Sequence, residues 1–184
     1  WHYDHWKEVF YPEDIGKKDF LSYYNRFFHT AEINNTFYSM PEKKTLENWK
    51  KRVDKSFRFS VKASRYITHM KKLKDAADPV ENFFKRLSSF RNKISNVLFQ
   101  LPPNWNCNPD RLRKFMEHLP PEYNYTFEFR DPSWFCDDIY SILEENNAAF
   151  CVYDLDRKIS PAPRTADFAY VRLHGPEDAY RGKY

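Results

Sequence analysis

With 184 residues, 41% of them apolar and 30% charged, and no uncharged apolar run near the roughly 20 residues that cross a bilayer, the sequence reads as one domain over residues 1–184 and not as a membrane protein. Aromatic residues at 19% against 3 Gly exclude a disordered chain, and a net charge of +4 from 30 basic and 26 acidic residues lacks the basic stripe of a dedicated nucleic-acid binder. Cys107, Cys136 and Cys151 form no CxxC pair, which argues against a disulfide framework or a structural zinc site and fits a reducing cytoplasm.

Short β-rich runs alternate with amphipathic stretches along the whole chain, the signature of an α/β protein with a parallel sheet. Phe20, Leu21, Tyr24, Phe27 and Phe28 share a helical face before a strand over residues 30–34, and Leu46, Trp49 and Val53 share another before a strand over residues 57–63. A long excursion, residues 64–78, follows. Asp78, Pro79 and Glu81 then look like a helix cap, a first-turn proline and a reaching acid, ahead of an apolar face of Val80, Phe83, Phe84, Leu87 and Phe90. Beyond a strand at residues 96–101, Asn108 and Pro109 repeat the cap and proline before Leu112, Phe115 and Met116, and further strands are expected at 125–130, 149–154 and 169–174. A (β/α)8 TIM barrel of about 250 residues needs roughly 31 per unit, so six strands in this length leave room for one missing at each end. The opening at Trp1 rather than Met agrees with an N-terminus lying upstream.

Strand side chains alternate between faces, so each run can be sorted into residues meeting the helices and residues facing the barrel interior. Phe127 and Phe129 oppose Glu128 and Arg130, Ile33 opposes Glu32 and Asn34, and Val171 and Leu173 oppose Arg172 and His174. Phe57, Phe59 and Val61 oppose Arg58, Ser60 and Lys62; Gln100 stands against Phe99 and Leu101, and Asp154 closes its strand. Polar residues closing inward faces converge at the C-terminal rim, where such barrels carry their active sites. Glu32, Lys62, Glu128, Asp154 and His174 are the candidate catalytic residues: two carboxylates in unlike surroundings suit an acid and base pair, while Lys62 as a Schiff-base amine is disfavoured because neighbouring acids should raise its pKa. Arg130 and Arg172, with Arg181 beyond, suit bidentate binding of a carboxylate or phosphate. His5, Asn34, Tyr38, His69, Gln100, Trp134 and Tyr180 complete the expected binding rim, the aromatics as a stacking surface for a sugar or a base. His5, Glu32, Glu128, Asp154 and His174 are permissible metal ligands but occur singly, without HxxxH or HxH spacing, so no metal is assigned and no cofactor is named. A charged ring that only held the fold together would need no charges, because apolar replacements of buried ion pairs are often neutral, and this tilts the reading towards function.

The stretches WKEVFYP (Trp6 to Pro12), EINNTFY (Glu32 to Tyr38), FRFSVKA and YITH (Phe57 to Ala63 and Tyr66 to His69), LFQLPP (Leu98 to Pro103), FEFRDPSW (Phe127 to Trp134) and YVRLHGP (Tyr170 to Pro176), closed by Tyr180 to Gly182, resemble in order the YecE-like family, domain of unknown function 72. The resemblance implies a TIM-barrel fold and no established reaction. It also implies a glycine-rich opening strand before Trp1 and a closing helix and strand after Tyr184. The leading expectation is an enzyme acting on a small polar, anionic or sugar-like molecule by acid and base catalysis at the barrel mouth. A nucleic-acid processing enzyme, with or without a metal, in which Lys71, Lys72 and Lys74 follow phosphates, is the alternative, and a non-catalytic ligand-binding or partner-binding barrel is the third.

Overall fold

Residues 1–156 and 158–175 are described by a computed structural model of the chain. Its elements follow the alternation of the sequence: α1 (Phe20–Tyr24), β1 (Thr30–Ile33), α2 (Lys43–Lys51), β2 (Arg58–Lys62), α3 (Ala77–Leu87), β3 (Ile94–Gln100), α4 (Pro109–Met116), β4 (Tyr125–Glu128), α5 (Asp137–Glu145), β5 (Ala149–Leu155), β6 (Lys158–Ile159) and β7 (Tyr170–Leu173). Strands β1 to β5 pair in parallel in chain order, and β7 adds to β5, again in parallel; β6 is a short antiparallel addition to β5 that periodicity did not reveal.

The sheet is curled, as one set of contacts requires. Five strand spacings separate β7 from β1, which in a flat sheet would be about 24 Å, far beyond the reach of a side chain. Yet Tyr170 and Arg172 of β7 hydrogen-bond Glu32 of β1. The fold is therefore a mixed α/β half-barrel with an inside and an outside.

Its outside is the apolar core. Phe57, Phe59, Val61, Phe99, Phe127 and Phe129 are fully buried there, covered by Val80, Phe83 and Leu87 of α3, Leu112 and Phe115 of α4, and Ile139 and Ile142 of α5. Phe99 meets Phe115 edge to face at 5.0 Å and lies against Phe127 at 5.3 Å, the offset arrangements that aromatic quadrupoles favour. On β7 the same outward alternation leaves Val171 and Leu173 exposed.

Two helix starts separate by chemistry. Asn108 caps α4, its Oδ1 accepting the Arg111 N–H at 2.9 Å with Pro109 in the first turn. Asn108→Ala should cost about 1 kcal/mol in urea denaturation, whereas a loss under a few tenths would show the cap to be idle. The cap expected at Asp78 does not form: α3 begins at Ala77, with Asp78 already inside its first turn. The first apolar face is also shorter than expected, since α1 ends at Tyr24 and Phe27 and Phe28 are half-exposed against Phe10. The excursion after β2 contains a π-helical turn, Tyr66–Met70, closed by the Lys71 N–H on the Tyr66 carbonyl at 2.9 Å. Such turns re-aim side chains and are common at functional sites.

Candidate active site at the strand ends

Alternation on β7 turns Tyr170 and Arg172 inward, and Arg172 becomes the centre of the interior. Its Nε and one terminal nitrogen clasp Glu32 at 3.0 and 2.7 Å, and its other terminal nitrogen donates to Glu128 Oε2 at 2.7 Å. The Tyr170 hydroxyl lies 2.7 Å from Glu32 Oε2 and 2.7 Å from Ser60 Oγ, so β1, β2 and β7 are tied across the inside of the curled sheet. Arg130 closes on Glu128 Oε1 through Nε, stacks over the Tyr153 ring at 4.7 Å, and reaches His174 Nε2 at 3.2 Å. A guanidinium only donates, so Nε2 of His174 is the acceptor and the imidazole is neutral there. Burial, then Arg172 and Arg130, push the His174 pKa down in the same sense.

Glu128 is fully buried. Burial alone would favour its protonated form, but Arg172 and Arg130 outweigh it and hold the carboxyl below its ordinary range. Both carboxylates thus act as acceptors for guanidiniums, with the Cys151 thiol a further neighbour of Glu128 at 3.7 Å. Burial and Glu128 push that thiol up, so it stays protonated.

Lys62 is placed differently. Among the described residues no carboxylate lies within ion-pair distance of its Nζ, which instead sits 4.3 Å from the centre of the Phe37 ring. Its pKa is brought down to about 8, by burial first and by Arg172 second, against the opposing pull of Glu128 and Glu32. This reverses the sequence expectation: the neighbouring acids do pull Lys62 up, but burial and the Arg172 guanidinium outweigh them. The same Phe37 ring carries His69 edge-on at 5.0 Å. The hydroxyl of Thr68 donates to the Ser64 carbonyl at 3.3 Å and lies 2.9 Å from His69 Nδ1; with its one proton on that carbonyl it accepts a hydrogen bond from Nδ1–H, the tautomer in which Nε2 is the basic nitrogen. Burial, Lys62 and Arg65 lower the His69 pKa.

The structure therefore brings Glu32, Lys62, Glu128, Arg130, Arg172 and His174 together, with His69 beside Lys62. Gln100 faces inward in register with Glu128. Asn34 lines a cleft of about 310 Å³ beside Glu32, Trp1 and Trp49, and the exposed Tyr38 lines another of about 720 Å³ with Tyr66, Lys71 and Arg86. Other expectations need correction. Asp154 does not join the group: Cys151 and Tyr153 take the inward face of β5, so Asp154, one residue on, points to the other side. Trp134 is core rather than rim; it is fully buried, stacked on Phe129 at 5.0 Å, with its indole N–H on the Trp105 carbonyl. His5 is exposed in a turn at Asp4–Trp6, packed on Tyr3 and Trp6. Tyr180 and Arg181 lie outside the described residues. Among the described residues no group of three or more His, Cys, Asp or Glu is arranged to hold a metal ion.

Four participants escaped the sequence reading: Phe37, Cys151, Tyr153 and Tyr170. Tyr170 was within reach, two residues before Arg172 and hence on its face. Cys151 and Tyr153 were hidden by anchoring their strand on Asp154.

The sequence profile of the family "Protein of unknown function DUF72" matches residues 1–184. The UPF0759 protein YecE of Escherichia coli is 32% identical over 116 residues, 62% of this chain and 43% of its own. The UPF0759 protein YunF of Bacillus subtilis is 27% identical over 138 residues, 71% of this chain and 49% of its own. The chain thus spans about half the length of the curated relatives it matches. Among solved structures, a DUF72 family protein of Thermotoga maritima superposes with a TM-score of 0.78 at 27% identity, over 95% of this chain and 71% of that one. A DUF72 family protein of Enterococcus faecalis superposes with a TM-score of 0.66 at 20% identity, over 84% and 69%, a likeness of fold alone.

Proposed function

The chain belongs to the DUF72 protein family, and from that premise we propose that its curled sheet is the larger part of a (β/α)8 barrel whose strand ends form the active site of an enzyme acting on a small anionic or sugar-like molecule by acid and base catalysis. The observation that carries this reading is the unpaired Lys62 amine. Glu32 and Glu128 balance Arg130 and Arg172, so among the described residues Lys62 is the one charge of this group without a counter-ion. A site with that surplus draws an anion when Lys62 is protonated and offers a base when it is not, and a pKa of about 8 lets both forms exist near neutrality. Arg172 is not a substrate clamp in this reading, because every arm of its fork is occupied; it holds the two carboxylates in place.

The test is a thermal-shift panel on the intact protein: sugar phosphates, organic acids, nucleotides, divalent metals and short single-stranded oligonucleotides. A ligand at 100 times its Kd contributes about 2.7 kcal/mol, which moves the midpoint by about 5–10 °C in a domain of this size. The shift should disappear in Lys62→Met, which keeps the bulk of the side chain and removes the charge. A shift that survives Lys62→Met, or none across the panel, overturns the reading. The oligonucleotides are included for a specific reason. Tyr38, Tyr66 and Met70 are exposed near Lys71, a pattern that suits stacked bases, and binding there would weaken steeply with salt.

A further inference from the structure

Three features of Lys62 bear on nucleophilicity. It stands at the end of β2 on the inward face, where its strand neighbour Ser60 is joined to Tyr170. Its ammonium rests on an aromatic ring rather than on a carboxylate, so no ion pair must be broken when the proton leaves. Finally, a second nitrogen base, His69, packs on the same ring with Nε2 unprotonated. The charged groups facing Lys62 are Arg172 from β7, Glu128 and Arg130 from the end of β4, Glu32 from β1 and His69 from the π-helical turn. The acids pull the pKa of the amine up and the guanidiniums push it down, and with burial the balance lies below the ordinary lysine value. The side chain is only half-buried, so a small molecule can reach it.

We propose that Lys62 is a covalent nucleophile that condenses with the aldehyde or ketone carbonyl of a small anionic substrate to form a Schiff base, with His69 moving the protons. This rests on the reading that the strand ends are a catalytic pocket and narrows its substrate class to carbonyl compounds. In the step, the Lys62 ammonium first passes a proton to His69 Nε2, and the neutral amine forms the N–C bond as the carbonyl π pair passes to oxygen, which takes that proton from His69. Nitrogen gives one proton to His69 Nε2, and His69 returns it as the carbinolamine hydroxyl leaves as water. Ammonium and carbonyl thereby become a protonated imine and water, with no oxidant or reductant consumed. The cationic imine then takes the place of the ammonium over Phe37, an exchange of one cation for another on the same ring.

The structure supplies the pH dependence and its sign. An ordinary lysine has a pKa near 10.4, so lowering Lys62 to about 8 enlarges its neutral fraction at pH 7 by a factor on the order of a hundred. Reactivity should therefore rise through pH 8 and level off, whereas exposed lysines go on gaining reactivity towards pH 10.

The experiment is reductive trapping on the intact protein. Glyoxylate, an anionic aldehyde, is added with sodium cyanoborohydride at pH 7, and peptide mapping follows the carboxymethyl adduct at every lysine. Lys62 should be modified at least about tenfold faster than Lys43, Lys50 or Lys85, with a rate midpoint near pH 8. His69→Ala should slow Lys62 while leaving the exposed lysines unchanged. Modification of Lys62 no faster than of Lys43 overturns the proposal. If Lys62 is inert to glyoxylate while the thermal-shift panel still yields a ligand lost in Lys62→Met, the Schiff base fails and acid and base catalysis stands. Selective trapping at Lys62 with no ligand from the panel does the reverse: it upholds the nucleophile and overturns the anion-binding acid and base site.

Discussion

Arg172→Ala should destabilise the fold by about 3–5 kcal/mol and lower its thermal midpoint by about 6–20 °C, the largest effect expected of any charge removal in the chain. The size follows from what the guanidinium leaves behind. Glu128 is fully buried and would keep only Arg130, while Glu32 would lose both of its two-pronged contacts and keep Tyr170. A buried carboxylate stripped of a partner must either bear its charge in low dielectric or take up a proton, and each is costly. Arg172→Lys should recover little. One ammonium cannot reach two carboxylates on opposite sides of the interior, which the planar fork does with three nitrogens. A double-mutant cycle with Glu128→Gln, read by urea denaturation, should show coupling above about 1 kcal/mol. Loss of less than about 1 kcal/mol in Arg172→Ala would mean that the clasp across the interior does not hold the sheet in its curl.

Trp134→Ala should cost a similar amount, about 3–5 kcal/mol, for an unrelated reason. The indole is fully buried between Phe129 and Trp105, ring centres 5.0 Å from each, and its N–H donates to the Trp105 carbonyl at 2.6 Å. Removing it opens a cavity under the loop after β4 and orphans that carbonyl. Trp134→Phe keeps the stacking and loses only the hydrogen bond, so its cost should fall to about 1–2 kcal/mol. Neither variant should alter ligand affinity once folded protein is compared with folded protein. A Trp134→Ala protein of unchanged stability but impaired binding would return this residue to the rim, where the sequence reading had put it.

The contrast between these two residues shows what periodicity can and cannot resolve. Arg172 was legible: period-2 alternation in the run Tyr170 to His174 separates it from Val171 and Leu173 whatever the rest of the fold does. Trp134 lies just past the end of β4, in a short helical turn at Pro132–Trp134 where no alternation holds, and an aromatic there can turn in or out. Asp154 failed by one residue, because a strand end marked by its last charge inherits the wrong face when the inward residues are Cys151 and Tyr153. A thiol and a tyrosine carry no visible charge, so they did not register as the polar side of that strand.

The order of strands and helices, their parallel pairing and the inward set Glu32, Ser60, Lys62, Glu128, Arg130 and Arg172 were determined by sequence alone, because side-chain alternation and apolar periodicity are local and survive any arrangement of the elements in space. How those charges share one another was decided only by the tertiary structure. Arg172 on β7 meets Glu32 on β1 across a gap of 140 residues, and that single pairing leaves Lys62 on a phenylalanine ring instead of a carboxylate. Proton affinities depend on distances of a few ångströms between groups far apart in the chain, and the curl of the sheet sets those distances.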